Sequence, residues 1–354
     1  MHGLSRKTWI VVFALLTTAA LSGVLAMAGK PGGGTLPPVG PATGVIYFWD
    51  VGLDPIIGAP GWPCKINPDG TGYQILAKEK GLGKSAARDD WDVSHTSTPR
   101  FFVYRDQVTN RGVITVASEE GTIERPLLSE SGEQILGLSL AISPDDRHLA
   151  YRADGNLYVA DLIYDPIDPN DPIDGIPYQL GNSVLANVPS GGYYTWSPDG
   201  AQIAFGSGDI FVVTLTFDKD GTVSGTSTVQ NITNSPDVND WAPAWSPWLS
   251  NGMSRIAYGR ALRDSGSNGE FPIQTRLPDG SGLVVAVGRV NSGVSYHGFP
   301  SWSPDGTQIA FLAVGGGNRQ TQALMRSAAD GTTTAFNLTG FSREMQICRV
   351  HWRP

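Results

Sequence analysis

Residues 196–200 read Trp-Ser-Pro-Asp-Gly and are followed by Ile-Ala-Phe at 203–205, and both stretches return at 302–306 and 309–311. Proline fixes φ at the first central turn position, aspartate tolerates the next, and glycine supplies the positive φ that closes the turn. The aromatic residue before the turn and the apolar run after it are typical of strands. This stretch, here called the WSPDG motif, predicts a β-hairpin that the chain uses more than once.

Further copies of the motif predict how many such hairpins there are. Clear copies start at Ile142 and Trp245, and a degraded copy starts at His95. The chain ends at His351-Trp352-Arg353-Pro354, which matches the front half of the motif without its second strand. The starting points 95, 142, 196, 245, 302 and 352 lie 47–57 residues apart. Periods of this size are typical of propeller blades.

A second marker gives the same number of repeats. A turn with an acidic residue and glycine follows each predicted third strand, and a fourth strand is predicted after each turn, at 73–76, 124–128, 177–180, 228–233, 283–287 and 335–339. The sequence therefore predicts an all-β fold, a six-bladed β-propeller with four antiparallel strands per blade. The C-terminal strand at 347–352 would join the N-terminal blade and so remove the open edge of the last sheet.

The N-terminal residues predict export of the chain. Arg6 and Lys7 precede an uncharged and mostly apolar stretch at 9–25, and Ala26-Met27-Ala28 is a small-x-small cleavage pattern. We expect a signal peptide at 1–28, a flexible Gly/Pro leader at 29–42 and the propeller at 43–354. An uncleaved membrane anchor is the alternative. After cleavage we expect no stable membrane span, and a periplasmic or secreted location.

The motif copies carry a resemblance to a known family. The repeated pattern resembles the WD-repeat-like β-propeller repeats of the TolB family, over about residues 43–354. It is clearest at Trp196 and Trp302 and weakest at His95. Family members in the Tol–Pal envelope system carry an additional N-terminal α/β domain, and here a short leader stands before the first blade. The resemblance implies the propeller and leaves a Tol–Pal role in question.

Candidate binding residues follow from counting back five residues from each motif. These positions mark where the innermost strands begin, at the channel mouth opposite the motif turns. The ionisable residues at or near them are Asp90, Asp92, Asp240, His297 and Glu344. Such a set could bind a cation, a basic partner or a sugar, and a solvated polar rim is the alternative.

The sequence also offers candidate metal and disulfide sites. We expect no cofactor and no metal, although propeller lyases of a related repeat type hold a metal with channel histidines. Calcium is the alternative at an acidic loop, whose oxygen-bearing residues are Asp165, Asp168, Asn170, Asp171 and Asp174. The two cysteines of this predicted exported chain, Cys64 and Cys348, are a candidate disulfide.

Function is the least determined property of the sequence. The formal net charge is −8, and no basic stripe suits a nucleic-acid backbone. No nucleophile elbow, His-Glu-x-x-His or phosphate-binding glycine loop occurs. We expect an exported binding or scaffold module in the cell envelope or outside the cell, with a protein partner and a carbohydrate as a further option. The alternative is a propeller enzyme, a polysaccharide lyase or hydrolase, with its site at the channel mouth.

The closure of the ring can be tested by truncation. Deleting residues 347–354 should lower the melting temperature far more than deleting residues 29–41, because only the first deletion would leave a sheet edge unpaired. Thermal unfolding followed by circular dichroism measures both truncations. Equal melting temperatures would contradict the closed ring.

Overall fold

A computed structural model describes residues 42–50, 62–76, 86–97, 100–106, 112–164, 175–186, 188, 191–262, 272–287, 294–315, 322–330, 336–338 and 347–354. In chain order its strands are β1 (Val45–Asp50), β2 (Trp62–Ile66), β3 (Gln74–Ile75), β4 (Ala86–Val93), β5 (Phe101–Asp106), β6 (Val113–Ser118), β7 (Glu124–Pro126), β8 (Leu138–Ile142), β9 (His148–Ala153), β10 (Asn156–Tyr164), β11 (Pro177–Ala186), β12 (Gly192–Trp196), β13 (Gln202–Gly206), β14 (Ile210–Phe217), β15 (Val223–Thr226), β16 (Gln230–Asn231), β17 (Val238–Trp245), β18 (Ile256–Leu262), β19 (Ile273–Arg276), β20 (Val284–Val287), β21 (Val294–Trp302), β22 (Gln308–Gly315), β23 (Gln322–Ala328), β24 (Phe336–Asn337) and β25 (Ile347–Arg353). The predicted signal peptide and residues 29–41 of the leader lie outside these residues. Within the described residues, no helix is long and apolar enough to cross a membrane.

The strands form six antiparallel sheets, which we number as blades 1 to 6 in chain order. From the innermost strand outward the blades are β25-β1-β2-β3, β4-β5-β6-β7, β8-β9-β10-β11, β12-β13-β14-β15, β17-β18-β19-β20 and β21-β22-β23-β24. The six innermost strands contact one another in a closed circle, β25-β4-β8-β12-β17-β21 and back to β25. This confirms the predicted six-bladed propeller. It also confirms its closure, because β1 pairs with β25 along its whole length.

The core consists of six apolar clusters, one in each interface between neighbouring blades. Successive side chains of a strand point to opposite faces of the sheet, so each strand serves two interfaces. On β1, Ile46 and Phe48 pack in the cluster shared with blade 6, and Tyr47 and Trp49 pack in the cluster shared with blade 2. The second strands therefore read as nearly continuous apolar runs.

Blade 4 departs from the predicted strand pattern at its outer edge. A single fourth strand was expected at 228–233. Instead β15 and β16 both pair with β14, along different parts of its length. Because β14 is eight residues long, it has room for two short partners.

The degraded motif copy of blade 2 lies two residues earlier than expected. The Ser94 backbone N–H donates to the Phe101 carbonyl, and the Phe101 N–H donates to Ser94 Oγ. Ser197 and Gln202 form the same two hydrogen bonds in blade 4. Val93 therefore takes the place of the motif tryptophan, and His95 takes the place of the proline. The predicted second strand at Phe102 keeps its register, because the turn between the two strands is longer than in blade 4.

Asp146 joins this irregular turn to blade 3. It occupies the motif position that is glycine at Gly200, and its φ is 58°. Its carboxylate accepts hydrogen bonds from the backbone N–H groups of His95 (2.6 Å), Thr96 (2.7 Å) and Ser97 (2.7 Å). The side-chain hydroxyls of Thr96 and Ser97 also donate to it. Burial alone raises the pKa of Asp146, but these donors outweigh burial and hold the pKa below its usual value.

Replacing Asp146 should destabilise the protein more than an equivalent change in a regular motif. Asp146→Ala should cost about 2–4 kcal/mol, because three backbone donors of blade 2 lose their charged acceptor. Asp146→Gly should recover about 1 kcal/mol of that loss, because glycine adopts the positive φ without steric cost. Urea unfolding measures these differences.

Asp199→Ala is the matched control for this prediction. Asp199 accepts hydrogen bonds from Ser197 and Ala201 within its own turn. Its replacement should cost about 1 kcal/mol or less. Equal costs for Asp146→Ala and Asp199→Ala would contradict the role of Asp146 between blades.

Candidate functional site

A β-bulge interrupts five of the innermost strands at the same place, three residues before the motif starts. The bulged residues have positive φ although none is glycine: Ser139 (57°), Tyr193 (58°), Ala242 (47°), Phe299 (51°) and Arg349 (41°). At these residues the pairing register with the second strand shifts. A bulge re-aims the side chain of the extra residue, and four of these five residues line the central channel.

The channel widens into a cavity of about 370 Å³ at the face that carries the motif turns. We call this face the motif face. The motif prolines line the cavity as a collar, namely Pro144, Pro198, Pro247, Pro304 and Pro354, with His95 in the corresponding place of blade 2. The motif tryptophans line it deeper, namely Trp196, Trp245, Trp302 and Trp352. Its volume is within the range of small-ligand sites in proteins.

The tryptophans that line the walls are fixed by hydrogen bonds. The indole N–H of Trp196 donates to the Ala141 carbonyl of blade 3 (2.9 Å), and that of Trp302 donates to the Ala244 carbonyl of blade 5 (3.0 Å). All four motif tryptophans are buried. The walls are therefore rigid and largely apolar.

Four bulged residues form the floor of the cavity, since on their strands Tyr193, Ala242, Phe299 and Arg349 are the lining residues farthest from the motif turn. Phe299 packs edge to face on Tyr193 and on Trp241, with ring centroids 5.3 and 5.2 Å apart. On the other side of the floor, the guanidinium of Arg349 donates to the carbonyls of Leu140 (2.8 Å) and Tyr194 (3.0 Å). Blade 1 thus reaches across the channel to blades 3 and 4.

A buried charged cluster lies beside this floor. Asp92 accepts a hydrogen bond from Arg353 Nη2 (2.6 Å), and its Oδ1 lies 3.0 Å from Nδ1 of His351. Its Oδ2 accepts the backbone N–H of Ile142 in blade 3 (2.8 Å). Burial opposes ionisation, but His351 and Arg353 hold the pKa of Asp92 well below its usual range. Burial lowers the pKa of His351 to about 4, although Asp92 acts in the opposite direction.

The five predicted binding residues divide between several places. Asp92 lines the cavity. Asp90 stands at the bulge position of blade 2, where it accepts from Arg105 (3.0 Å) and from the Ser139 backbone N–H (2.7 Å). Asp240 is fully buried, and Nε and Nη2 of Arg260 each donate to it at 2.7 Å. The side chain of His297 and the whole of Glu344 lie outside the described residues. A site at the mouth opposite the motif face stays a prediction.

The other predicted sites stay predictions as well. The calcium candidates at 165–174 lie outside the described residues, and among the residues described no group of His, Cys, Asp or Glu could hold a metal ion. Cys64 on β2 pairs with Phe48 of β1, and Cys348 on β25 pairs with Trp49, so β1 lies between the two cysteines. Cys64 Sγ is 3.5 Å from Tyr73 Oη. The Cys348 side chain is not described, so the disulfide is untested.

Sequence reasoning missed the residues that build this cavity. The sequence assigns the motif to a β-hairpin turn, and its prolines and tryptophans also form the collar and walls of the cavity. Arg349 went unnoticed because a single arginine in a short strand carries no pattern. The usable clue was positional, since the residue three before each motif varies while the motif itself is repeated.

No known family model and no curated protein matches this chain in sequence. Solved structures do match it. TolB from Acinetobacter baumannii is 15% identical, with a TM-score of 0.57 over 89% of this chain and 68% of the other. A chain of the Nidogen/Laminin Complex structure is 9% identical, with a TM-score of 0.53 over 87% of this chain and 98% of the other. These likenesses show that this chain has a β-propeller fold, as TolB does.

An enzyme is also among the structural neighbours. An oligogalacturonate lyase in complex with manganese is 14% identical, with a TM-score of 0.43 over 84% of this chain and 74% of the other. This likeness is too distant to support a shared activity.

The buried histidine of the cluster should make stability depend on pH. The pKa of His351 is about 4 in the folded protein against an ordinary value of 6.5. The unfolded chain therefore takes up a proton first as the pH falls. From about pH 8 to pH 5 this group should remove about 2 kcal/mol of stability. Urea unfolding measures the free energy of unfolding at each pH, and His351→Gln should remove about 2 kcal/mol of its loss between pH 8 and pH 5. Equal losses in the two proteins would contradict the lowered pKa.

Proposed function

We propose that this protein is an exported propeller that binds a protein partner, and that a segment of the partner enters the motif-face cavity. The observation that carries the proposal is the cavity itself, with rigid apolar walls and an arginine, Arg349, on its floor. Small-ligand sites in proteins are typically concave and mostly apolar, with a few polar groups that fix orientation. The residues that dominate protein–protein binding energy likewise fill pockets on the partner. The predicted signal peptide supports export to the cell envelope or beyond it.

An exposed tryptophan at the rim supports a macromolecular partner. Trp248 lines the cavity and is 53% exposed. It belongs to the long motif turn of blade 5, whose tip is closed by hydrogen bonds between Leu249 and Met253 and between Gly252 and Leu249. Tryptophan is enriched among the residues that dominate binding energy in protein–protein interfaces.

The turn that presents Trp248 is held in place by the next blade. A side chain at Gly306 would bring its Cβ within 2.5 Å of Leu249 Cδ2, so the bare glycine makes room for Leu249 on the motif turn of blade 6. The rim tryptophan therefore stands on an anchored turn. A preorganised contact loses less conformational entropy on binding, which supports its use as an interaction site.

Photo-crosslinking at the rim tests the proposal. With p-benzoylphenylalanine at position 248, cells of the native host should yield discrete protein adducts. Leu283 is the matched control, because it is 48% exposed on the same blade and does not line the cavity. Trp248→Ala should weaken binding of the captured partner by about tenfold to a hundredfold.

Two results would contradict this function. One is the same set of adducts from positions 248 and 283, which would indicate nonspecific contact. The other is cleavage in a glycan-degradation screen, which would favour the polysaccharide enzyme that the sequence leaves open.

A further inference from the structure

We propose that Arg349 binds a carboxylate, so that the partner segment entering the motif-face cavity carries an aspartate or glutamate at its tip. This inference rests on the proposed function, because it names the partner chemistry at the same site.

The contacts of Arg349 leave hydrogen-bonding capacity toward the cavity. A guanidinium has five N–H donors and no acceptor. Among the described residues, two neutral carbonyls accept from it, those of Leu140 and Tyr194. The side chain is 7% exposed and lines the cavity floor. The remaining donors are therefore available to a ligand that reaches the floor.

The charges around the floor do not balance. Of the two nearby carboxylates, Asp90 is paired with Arg105 and Asp92 with Arg353. Within the described part of the chain, no carboxylate forms an ion pair with Arg349. His351 adds no charge near neutral pH, since its pKa is about 4. Counting the described side chains alone, the floor holds one cation in excess, and a buried charge is costly unless it is paired.

The surroundings of Arg349 favour an anion over a neutral ligand. Burial lowers the pKa of Arg349, although Asp92 and Asp90 act in the opposite direction. A carboxylate at this depth would offset the cost of burial, because ion pairs are stronger where water is excluded. Its two oxygens also match the planar fork of a guanidinium. Lysine or arginine on the partner would instead be repelled.

Peptide pools test this chemistry on the whole protein. The probes are pentapeptides, acetylated and amidated so that the ends carry no charge. The central residue is fixed as Asp, Glu, Asn or Gln, and the other four positions are mixtures of uncharged residues without Trp or Tyr. Binding is followed by the fluorescence of the cavity tryptophans. The Asp or Glu pool should bind at least about tenfold more tightly than its amide counterpart.

Variants assign the preference to Arg349. Arg349→Met should bind all four pools alike, whereas Arg349→Lys should keep part of the preference for acids. Arg276→Met is the matched control, because Arg276 lies on β19 away from the cavity and donates to Tyr258 and Gly280. It should keep the wild-type preference. If Arg349→Met fails to fold, the comparison of acid and amide pools on the wild-type protein still tests whether the cavity prefers a carboxylate.

The outcomes separate this inference from the function on which it rests. If amide and acid pools bind the wild type equally, the role of Arg349 is wrong and peptide binding in the cavity stands. If no pool binds, both proposals are wrong. If oligogalacturonate binds more tightly than the acid pools and Arg349→Met abolishes that binding, the partner is a carbohydrate acid and the protein assignment is overturned.

Discussion

Closure of the ring by β25 is the constraint on which the rest of the structure depends. A circle of blades is stable only when its last interface is filled, and here one strand fills it. The Trp352 backbone N–H donates to Ser301 of blade 6, and Arg353 donates to Asp92 of blade 2. Arg349 reaches blades 3 and 4 across the channel. The strand that closes the ring, β25, therefore also carries the two arginines, Arg349 and Arg353, that lie at the channel.

The bulges connect this architecture to the chemistry of the cavity. Each left-handed non-glycine residue costs about 1–3 kcal/mol, and such strain persists only where the surrounding structure enforces it. The repeated motif fixes the backbone at each bulge but leaves the side chain free to vary. Blade 5 has Ala242 there, blade 6 has Phe299 and blade 1 has Arg349. The repeat therefore determines the backbone of the site, and the variable bulge position determines which chemical groups line it.

The sequence predicts the fold better than the site, for physical reasons. Turn chemistry is local, so the motif at Trp196 and Trp302 reveals the number of blades and the closure between the chain ends. The two-residue shift of the motif in blade 2 cannot be read from the local sequence around His95, because the carboxylate of Asp146 from blade 3 fixes the turn there. The cavity was not predictable either, since burial at the centre of the ring depends on all six strands together. Counting back from the motifs pointed to the opposite mouth, and Asp240 proved to be buried against Arg260.

Packing alone does not explain the arginine at the floor. Ala242 and Phe299 occupy equivalent bulges, so an apolar residue satisfies the backbone at this position. A buried charge without a partner is costly, so an apolar residue of similar volume should be neutral or stabilising at this position. Closure of the ring requires β25, but Arg349 is the one residue between Cys348 and Val350 that is not paired with a residue of β1. A cation where the fold would accept an apolar residue supports the proposed role of Arg349 in binding, and the apolar walls above it fit a narrow segment that carries an anion.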